Sequence, residues 1–255
     1  MTEEKLQLRI YGDKSLPTLI YLPGLHGDWT LVGSFRKHVL GKVRFVEITY
    51  PRTLVWSLDD YAAAIEAALS ENEITHGWLL GESFGSQPLW AMVGRKKFQA
   101  DGIILAGGFA KHPTRWAVRP VETLIGCIPT RVFVWIVFNY AKIARFRYRR
   151  EPETLNHIAE FIERRADDLD RRTVQHRLHL IAASDFRPIA SQTKIPVFAI
   201  TGILDPIVPW LFVRRWLRKN CTALRDYKIV RADHNVLATG TREAAKQILD
   251  WMLRR

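Results

Sequence analysis

Trp78-Leu79-Leu80-Gly81-Glu82-Ser83-Phe84-Gly85-Ser86 is the stretch of the sequence that says most about its fold. An apolar run leads into a G-x-S-x-G pattern, and a helix-like segment follows it. A serine in this context stands on a tight strand-to-helix turn that exposes its hydroxyl. Residues larger than glycine at positions 81 and 85 would collide across such a turn. The positive end of the following helix lies beneath the serine. The stretch predicts Ser83 as a nucleophile, the alternative being a glycine-rich turn that caps a helix.

Outward from this turn, short apolar runs alternate with helix-length amphipathic runs, which is typical of a mostly parallel sheet covered on both faces. Strands are predicted at Leu6–Ile10, Thr18–Leu22, Val43–Ile48, Gly77–Leu80, Gly102–Leu105, Val197–Ile200 and Tyr227–Val230. Helices are predicted at Thr30–Leu40, Leu58–Leu69, Phe84–Val93, Trp210–Lys219 and Arg242–Leu253. Ser57 followed by Asp60 predicts a helix start, because both side chains can bond free backbone amides. The fold class is therefore α/β.

One segment breaks the alternation. From Pro113 to Arg187 there are only long helical patterns, rich in Arg and Trp, between two strand-like segments. This indicates an insertion into the sheet domain rather than an independent domain. The sequence predicts a core of residues 1–112 and 188–255 with a helical cap at residues 113–187.

A base and an acid for Ser83 are expected in loops at the same sheet edge, because a serine is a weak nucleophile at neutral pH without them. Asp205 follows the predicted strand Val197–Ile200, and His234 follows the predicted strand Tyr227–Val230. Open α/β sheets gather their sites at the carboxyl ends of the strands. The order Ser, Asp, His is also the order expected of a nucleophile elbow. As alternatives, Asp205 begins a turn before a proline and His234 caps the last helix.

Two rival acids are less well placed. Asp233 adjoins His234, but neighbouring side chains point apart and do not meet squarely. The loop after Gly102–Leu105 could supply an acid, yet the residues that follow, Ala106–Phe109, include no carboxylate. Asp205 is therefore the predicted acid.

The segment Tyr21–Asp28 follows an early strand, and with it the chain resembles the α/β-hydrolase fold superfamily, in particular a branch of small cap-bearing esterases and carbon–carbon bond hydrolases. The resemblance covers about residues 6–110 and 190–255. It implies an α/β-hydrolase fold, a cap, and an oxyanion hole formed by the backbone N–H groups of Leu25 and Phe84. Where that branch has His-Gly, this sequence has Pro23-Gly24. An alternative is that His26-Gly27 corresponds to the His-Gly pair, shifted by three positions.

The composition limits the partners. The formal charge is +12, and the basic residues are spread along the whole chain rather than gathered in a stripe. This argues against a nucleic-acid interface and favours either a role in solubility or anionic partners. Within the insertion an apolar run is followed by the bases Lys142, Arg145, Arg147, Arg149 and Arg150. They suit an anionic or carrier-linked acyl substrate or weak contact with a membrane surface, or else form a solvated face.

No cofactor or metal is predicted, because the two cysteines, Cys127 and Cys221, are far apart and in no metal-binding spacing. The amino terminus lacks a signal-peptide pattern, and the longest apolar run, Val132–Phe138, is too short to cross a bilayer. A cytoplasmic protein with no transmembrane segment is expected.

Three functions remain open at this point. The first is a serine hydrolase of a carboxylic ester or thioester that works through an acyl-enzyme, with acyl transfer to an alcohol as its variant. The second is a carbon–carbon bond hydrolase of a diketone-like acid, and the third is a ligand receptor without turnover. The fold alone does not set the substrate.

Overall fold

A computed structural model describes residues 5–147, 156, 159 and 167–253 of the chain. Its centre is a seven-stranded sheet with the order β1-β3-β2-β4-β5-β6-β7. The strands are β1 (Gln7–Tyr11), β2 (Thr18–Leu22), β3 (Arg44–Thr49), β4 (His76–Glu82), β5 (Gln99–Ala106), β6 (Val197–Gly202) and β7 (Leu224–Val230). β1 is antiparallel to β3, and every other neighbouring pair is parallel. The seven predicted strands are confirmed, with ends that differ by a few residues.

Helices cover both faces of the sheet. They are α1 (Gly33–Val39), α2 (Leu58–Glu71), α3 (Ser86–Arg95), α4 (Arg115–Cys127), α5 (Thr130–Arg147), α6 (Asp168–Ala183), α7 (Arg187–Gln192), α8 (Trp210–Asn220), α9 (Val236–Thr239) and α10 (Thr241–Leu253). Side chains alternate along β2, so that Ile20 and Leu22 pack with α2 and α3 while Leu19 and Tyr21 pack with α1 and α10. The mostly parallel sheet is therefore buried on both sides, as the continuous apolar strands predict.

The start of α2 matches its sequence signature. The Ser57 hydroxyl accepts a hydrogen bond from the Asp60 N–H, and the Asp60 carboxylate accepts one from the Ser57 N–H. This reciprocal pair satisfies amides that the first helical turn leaves free, and it is worth about 1 kcal/mol. The helix predicted at Phe84–Val93 differs in detail, because a 3₁₀ turn, Ser83–Gly85, precedes α3.

Between β5 and β6 the described residues form helices and no strand. α4 and α6 pack against each other, and α6 also contacts α5. Of the basic cluster predicted to meet an anionic partner, Lys142, Arg145 and Arg147 lie in α5, whereas Arg149 and Arg150 lie outside the described residues. That role of the cluster stays a prediction. In the part of the chain that is described, none of the helices combines the length and apolar character that a membrane crossing requires.

Candidate active site

Ser83 stands where β4 turns sharply into α3. Its φ angle is +50°, a left-handed conformation that costs a residue with a side chain about 1 kcal/mol or more. Glycines on either side permit the turn. A Cβ on Gly85 would overlap the carbonyl oxygen of Leu22, and one on Gly81 would lie 2.9 Å from the Ser86 nitrogen. The two glycines of the G-x-S-x-G pattern therefore let β2 and α3 close tightly around the serine.

Ser83, His234 and Asp205 are joined by hydrogen bonds, although 151 positions of the sequence separate Ser83 from His234. His234 Nε2 lies 2.8 Å from Ser83 Oγ, and His234 Nδ1 lies 2.8 Å from Asp205 Oδ2. With the proton on Nδ1, that nitrogen donates to the carboxylate and Nε2 accepts from the hydroxyl. Such a pairing is the arrangement by which proteins activate a serine.

Backbone amides hold the Asp205 carboxylate in place. Its Oδ1 accepts hydrogen bonds from the N–H groups of Ile207 and Val208, both at 2.9 Å. The side chain is fully buried, and that of His234 is 9 % exposed. Asp205 therefore has one oxygen committed to the loop and the other to the imidazole ring.

Asp233, the rival acid beside His234, accepts hydrogen bonds from residues other than His234. Asp233 Oδ1 accepts from the Thr239 hydroxyl at 2.8 Å and from the Asn235 N–H at 3.0 Å. The loop after β5 passes close to the ring at Gly107, where a Cβ would lie 3.5 Å from His234 Cε1. The small residues after β5 thus leave room for the imidazole.

The loop after β2 lies against Ser83. A Cβ on Gly24 would be 3.7 Å from Ser83 Cβ, so the peptide of Leu25 begins beside the serine. The Gly27 N–H donates to the Gly24 carbonyl at 2.9 Å and closes a tight turn, with Gly27 at a φ of +71°. Leu25 and Phe84 are the two residues predicted to supply oxyanion amides. Phe84 directly follows Ser83, and Leu25 follows Gly24, which lies beside the Ser83 side chain.

Arg177 of α6 fixes this loop from the far side, and nothing in the sequence pattern singles it out. Its side chain is fully buried and donates to the carbonyls of Leu25 at 2.9 Å and Pro51 at 3.1 Å. The guanidinium also lies 5.9 Å from the ring centre of Phe84. A side chain on Gly27 would overlap the guanidinium. Arg177 thus links the helical insertion to both segments that flank the serine.

Arg177→Met is expected to lower the free energy of unfolding by about 2–4 kcal/mol, because it leaves buried carbonyls without donors. Urea denaturation followed by circular dichroism measures this loss. Arg172→Met, an exposed arginine of the same helix, is the matched control and should change stability by less than about 0.5 kcal/mol. Equal stability of the two variants would contradict a structural role for Arg177.

Two buried titratable groups border the serine and histidine. Glu82, directly before Ser83, accepts a hydrogen bond from the Tyr21 hydroxyl at 2.5 Å. Burial raises the pKa of Glu82, which the Tyr21 bond and the nearby His234 partly offset. Burial also lowers the pKa of His112 to about 4, so its ring is neutral at pH 7. The sequence pattern gave no signal for either residue.

The described residues include no cluster of three or more His, Cys, Asp or Glu side chains that could hold a metal ion. Cys127 is exposed and Cys221 is buried, and both are free thiols. Ser83, Asp205 and His234 lie at the carboxyl edge of the sheet, after β4, β6 and β7.

The comparisons with known structures concern the whole fold. An enol-lactonase from Burkholderia xenovorans LB400 superposes with a TM-score of 0.78 at 17% identity, over 98% of this chain and 96% of that one. An esterase from Thermogutta terrifontis superposes with a TM-score of 0.75 at 16% identity, over 97% and 92% of the two chains. A bromoperoxidase from Bacillus anthracis gives 0.77 at 12% identity, over 98% and 95%. No protein-family model matches the sequence, and neither does any curated protein.

These similarities extend over nearly the full length of each chain, and this chain has a mostly parallel seven-stranded sheet between layers of helices. The chain therefore has the α/β-hydrolase fold, as its sequence predicts. At identities of 12–17% the likeness concerns the fold alone.

Proposed function

We propose that this protein is a serine hydrolase that cleaves a carboxylic ester or thioester, with Ser83 as the nucleophile. The observation that carries the proposal is the pair of 2.8 Å contacts from the His234 ring to Ser83 Oγ and to Asp205 Oδ2. The fold supports it, since two of the similar structures are an esterase and an enol-lactonase. An enol-lactone is itself a cyclic ester.

In the proposed reaction, His234 Nε2 takes the Ser83 proton as Oγ attacks the carbonyl carbon. The tetrahedral intermediate collapses when the bond to the leaving oxygen or sulfur breaks and His234 returns the proton to that atom. Water then attacks the acyl-enzyme with His234 again as base, which releases the acid and restores Ser83. Asp205 keeps the ring in the orientation and protonation state that both steps need.

The N–H groups of Leu25 and Phe84 are proposed as the oxyanion hole. Phe84 follows the nucleophile, and the Leu25 peptide starts at Gly24, beside the Ser83 side chain. Arg177 fixes the Leu25 carbonyl and with it the neighbouring peptide. Each preorganised donor of this kind is worth roughly 3 kcal/mol of barrier.

Residues 113–187 are proposed as a cap on the core of residues 1–112 and 188–255, covering the substrate in the way the family resemblance implies. The contact of Arg177 in α6 with the loop after β2 supports this division, because it joins the insertion to the reaction centre. The acyl chain length is left to experiment.

A panel of nitrophenyl esters of rising acyl length, together with acyl thioesters of the same acids, tests the function. We expect turnover that stops when the protein has reacted with one equivalent of a fluorophosphonate. The chain length of the best substrate reports the depth of the acyl pocket. Binding of these substrates with no product release would overturn the hydrolase in favour of a receptor.

A further inference from the structure

A cavity of about 580 Å³ lies between α8 and the segment that follows β5. Ser83, Asp205 and His234 do not line it. Volumes of 300–1,000 Å³ are usual for sites that hold an organic molecule.

The rim of this cavity is strongly basic. It is lined by five cations: Lys111, Arg115, Arg187, Arg215 and Lys219. One carboxylate, Asp185, accepts from both Lys111 and Arg187 at 2.7 Å and neutralises part of this charge. Over the described ranges of the chain, no acid pairs with Arg115, Arg215 or Lys219. A monocarboxylate has one negative charge and would leave most of this positive charge unmatched. Phosphate groups have more negative charge and more acceptor oxygens, so several cations can bind them together.

The remaining wall is apolar and aromatic. Val213 and Leu217 of α8 are buried, and Trp216 is half-buried beside them. Phe212, also in the lining, is 64 % exposed. Exposed aromatic rings next to arginine form a stacking surface for a planar base. A ligand with both a flat heterocycle and phosphates would therefore use the whole cavity.

His112 connects this cavity to the candidate active site. It lines the cavity, and its ring packs edge-on against Phe109 with 4.9 Å between ring centres. The ring also lies close to the backbone of Ile207, whose own N–H donates to Asp205. His112 thus belongs to the lining of the cavity and also adjoins the loop that holds the acid.

We propose that this cavity binds the phosphorylated, nucleotide-like part of the leaving group of an acyl thioester. The inference rests on the proposed function, since the acyl carbon would sit at Ser83 and the thiol arm would pass His112 into the cavity. The substrate class would then be acyl thioesters of a nucleotide-bearing thiol, and the positive charge around the cavity would select them.

Binding can be measured apart from turnover, with Ser83→Ala as the protein and free coenzyme A or adenosine 3′,5′-bisphosphate as the probe. By isothermal titration calorimetry we expect both to bind, and Arg115→Glu with Arg215→Glu to weaken binding at least about tenfold. Arg225→Glu with Lys246→Glu makes the same change of charge at exposed positions outside the lining and should have less than about a twofold effect. Citrate that binds as tightly as the bisphosphate would overturn the assignment to phosphate.

Turnover then tests the place of the cavity in the reaction. One acyl group is presented on coenzyme A and on the neutral, truncated thiol N-acetylcysteamine. The Arg115 and Arg215 reversal should lower kcat/KM about tenfold for the first substrate and leave the second unchanged. Equal effects on both, or on neither, would overturn the inference.

The two sets of results separate the two proposals. Hydrolysis of the esters without binding of coenzyme A would leave the hydrolase intact and remove the leaving-group site. Binding of coenzyme A that depends on Arg115 and Arg215, with no hydrolysis of any ester, would support a nucleotide site and remove the hydrolase.

Discussion

Ser83→Ala should lower kcat on the order of 10⁶-fold and abolish labelling by a fluorophosphonate. The reason is that Ser83 Oγ is the atom that lies 2.8 Å from His234 Nε2. Without it the imidazole has no hydroxyl to deprotonate, and only binding and the backbone donors remain to act on the substrate. Initial rates with the best ester of the panel and gel fluorescence of the labelled protein measure the two losses.

The matched control is Ser70→Ala, an exposed serine of α2, which should keep both activity and labelling. Ser83→Gly adds a check on folding. Glycine adopts the φ of +50° without the penalty that a side chain incurs there, so this variant should be inactive yet at least as stable as the wild type. Labelling that persists in Ser83→Ala would mean that another residue reacts.

The parts of the fold and site that the sequence predicts are those that local chemistry determines. The strand before Ser83, the glycines around it and the helix after it leave a pattern because each residue has a steric or capping reason to be there. Asp205 and His234 were predicted because parallel strands bring the loops after them to one edge. Asp233 was rejected because the side chains of sequence neighbours point apart. In the structure its carboxylate accepts hydrogen bonds from Thr239 and Asn235.

The parts that the sequence does not predict depend on contacts between distant segments. Arg177 and Leu25 are 152 positions apart, and an arginine among many in a helical insertion carries no sign that it will be fully buried. The order of the strands, with β1 antiparallel at one edge, follows from packing of the whole sheet. The cavity at Arg115 and Arg215 likewise brings together cations from separate helices. Basic residues are spread along the whole sequence, so no local pattern marks the few that meet there.

Asp205→Asn is expected to lower kcat on the order of 10⁴-fold, and His234→Ala on the order of 10⁶-fold, as for Ser83→Ala. Steady-state rates with the best ester measure both. The control is Asp233→Asn, the neighbouring carboxylate, which faces Thr239 rather than the ring and should stay within about tenfold of the wild type. An active Asp205→Asn with an inactive Asp233→Asn would mean that the acid is Asp233.

The size of the Asp205→Asn effect follows from how the loop holds the side chain. Two backbone donors, the N–H groups of Ile207 and Val208, point at the same oxygen, Oδ1. In the variant these donors must meet the amide oxygen, because an NH₂ group there would face them donor to donor. The amide NH₂ then lies at the position of Oδ2, 2.8 Å from His234 Nδ1, and can only donate. Nδ1 must therefore lose its proton and Nε2 must carry one, so the ring can no longer accept the proton of Ser83.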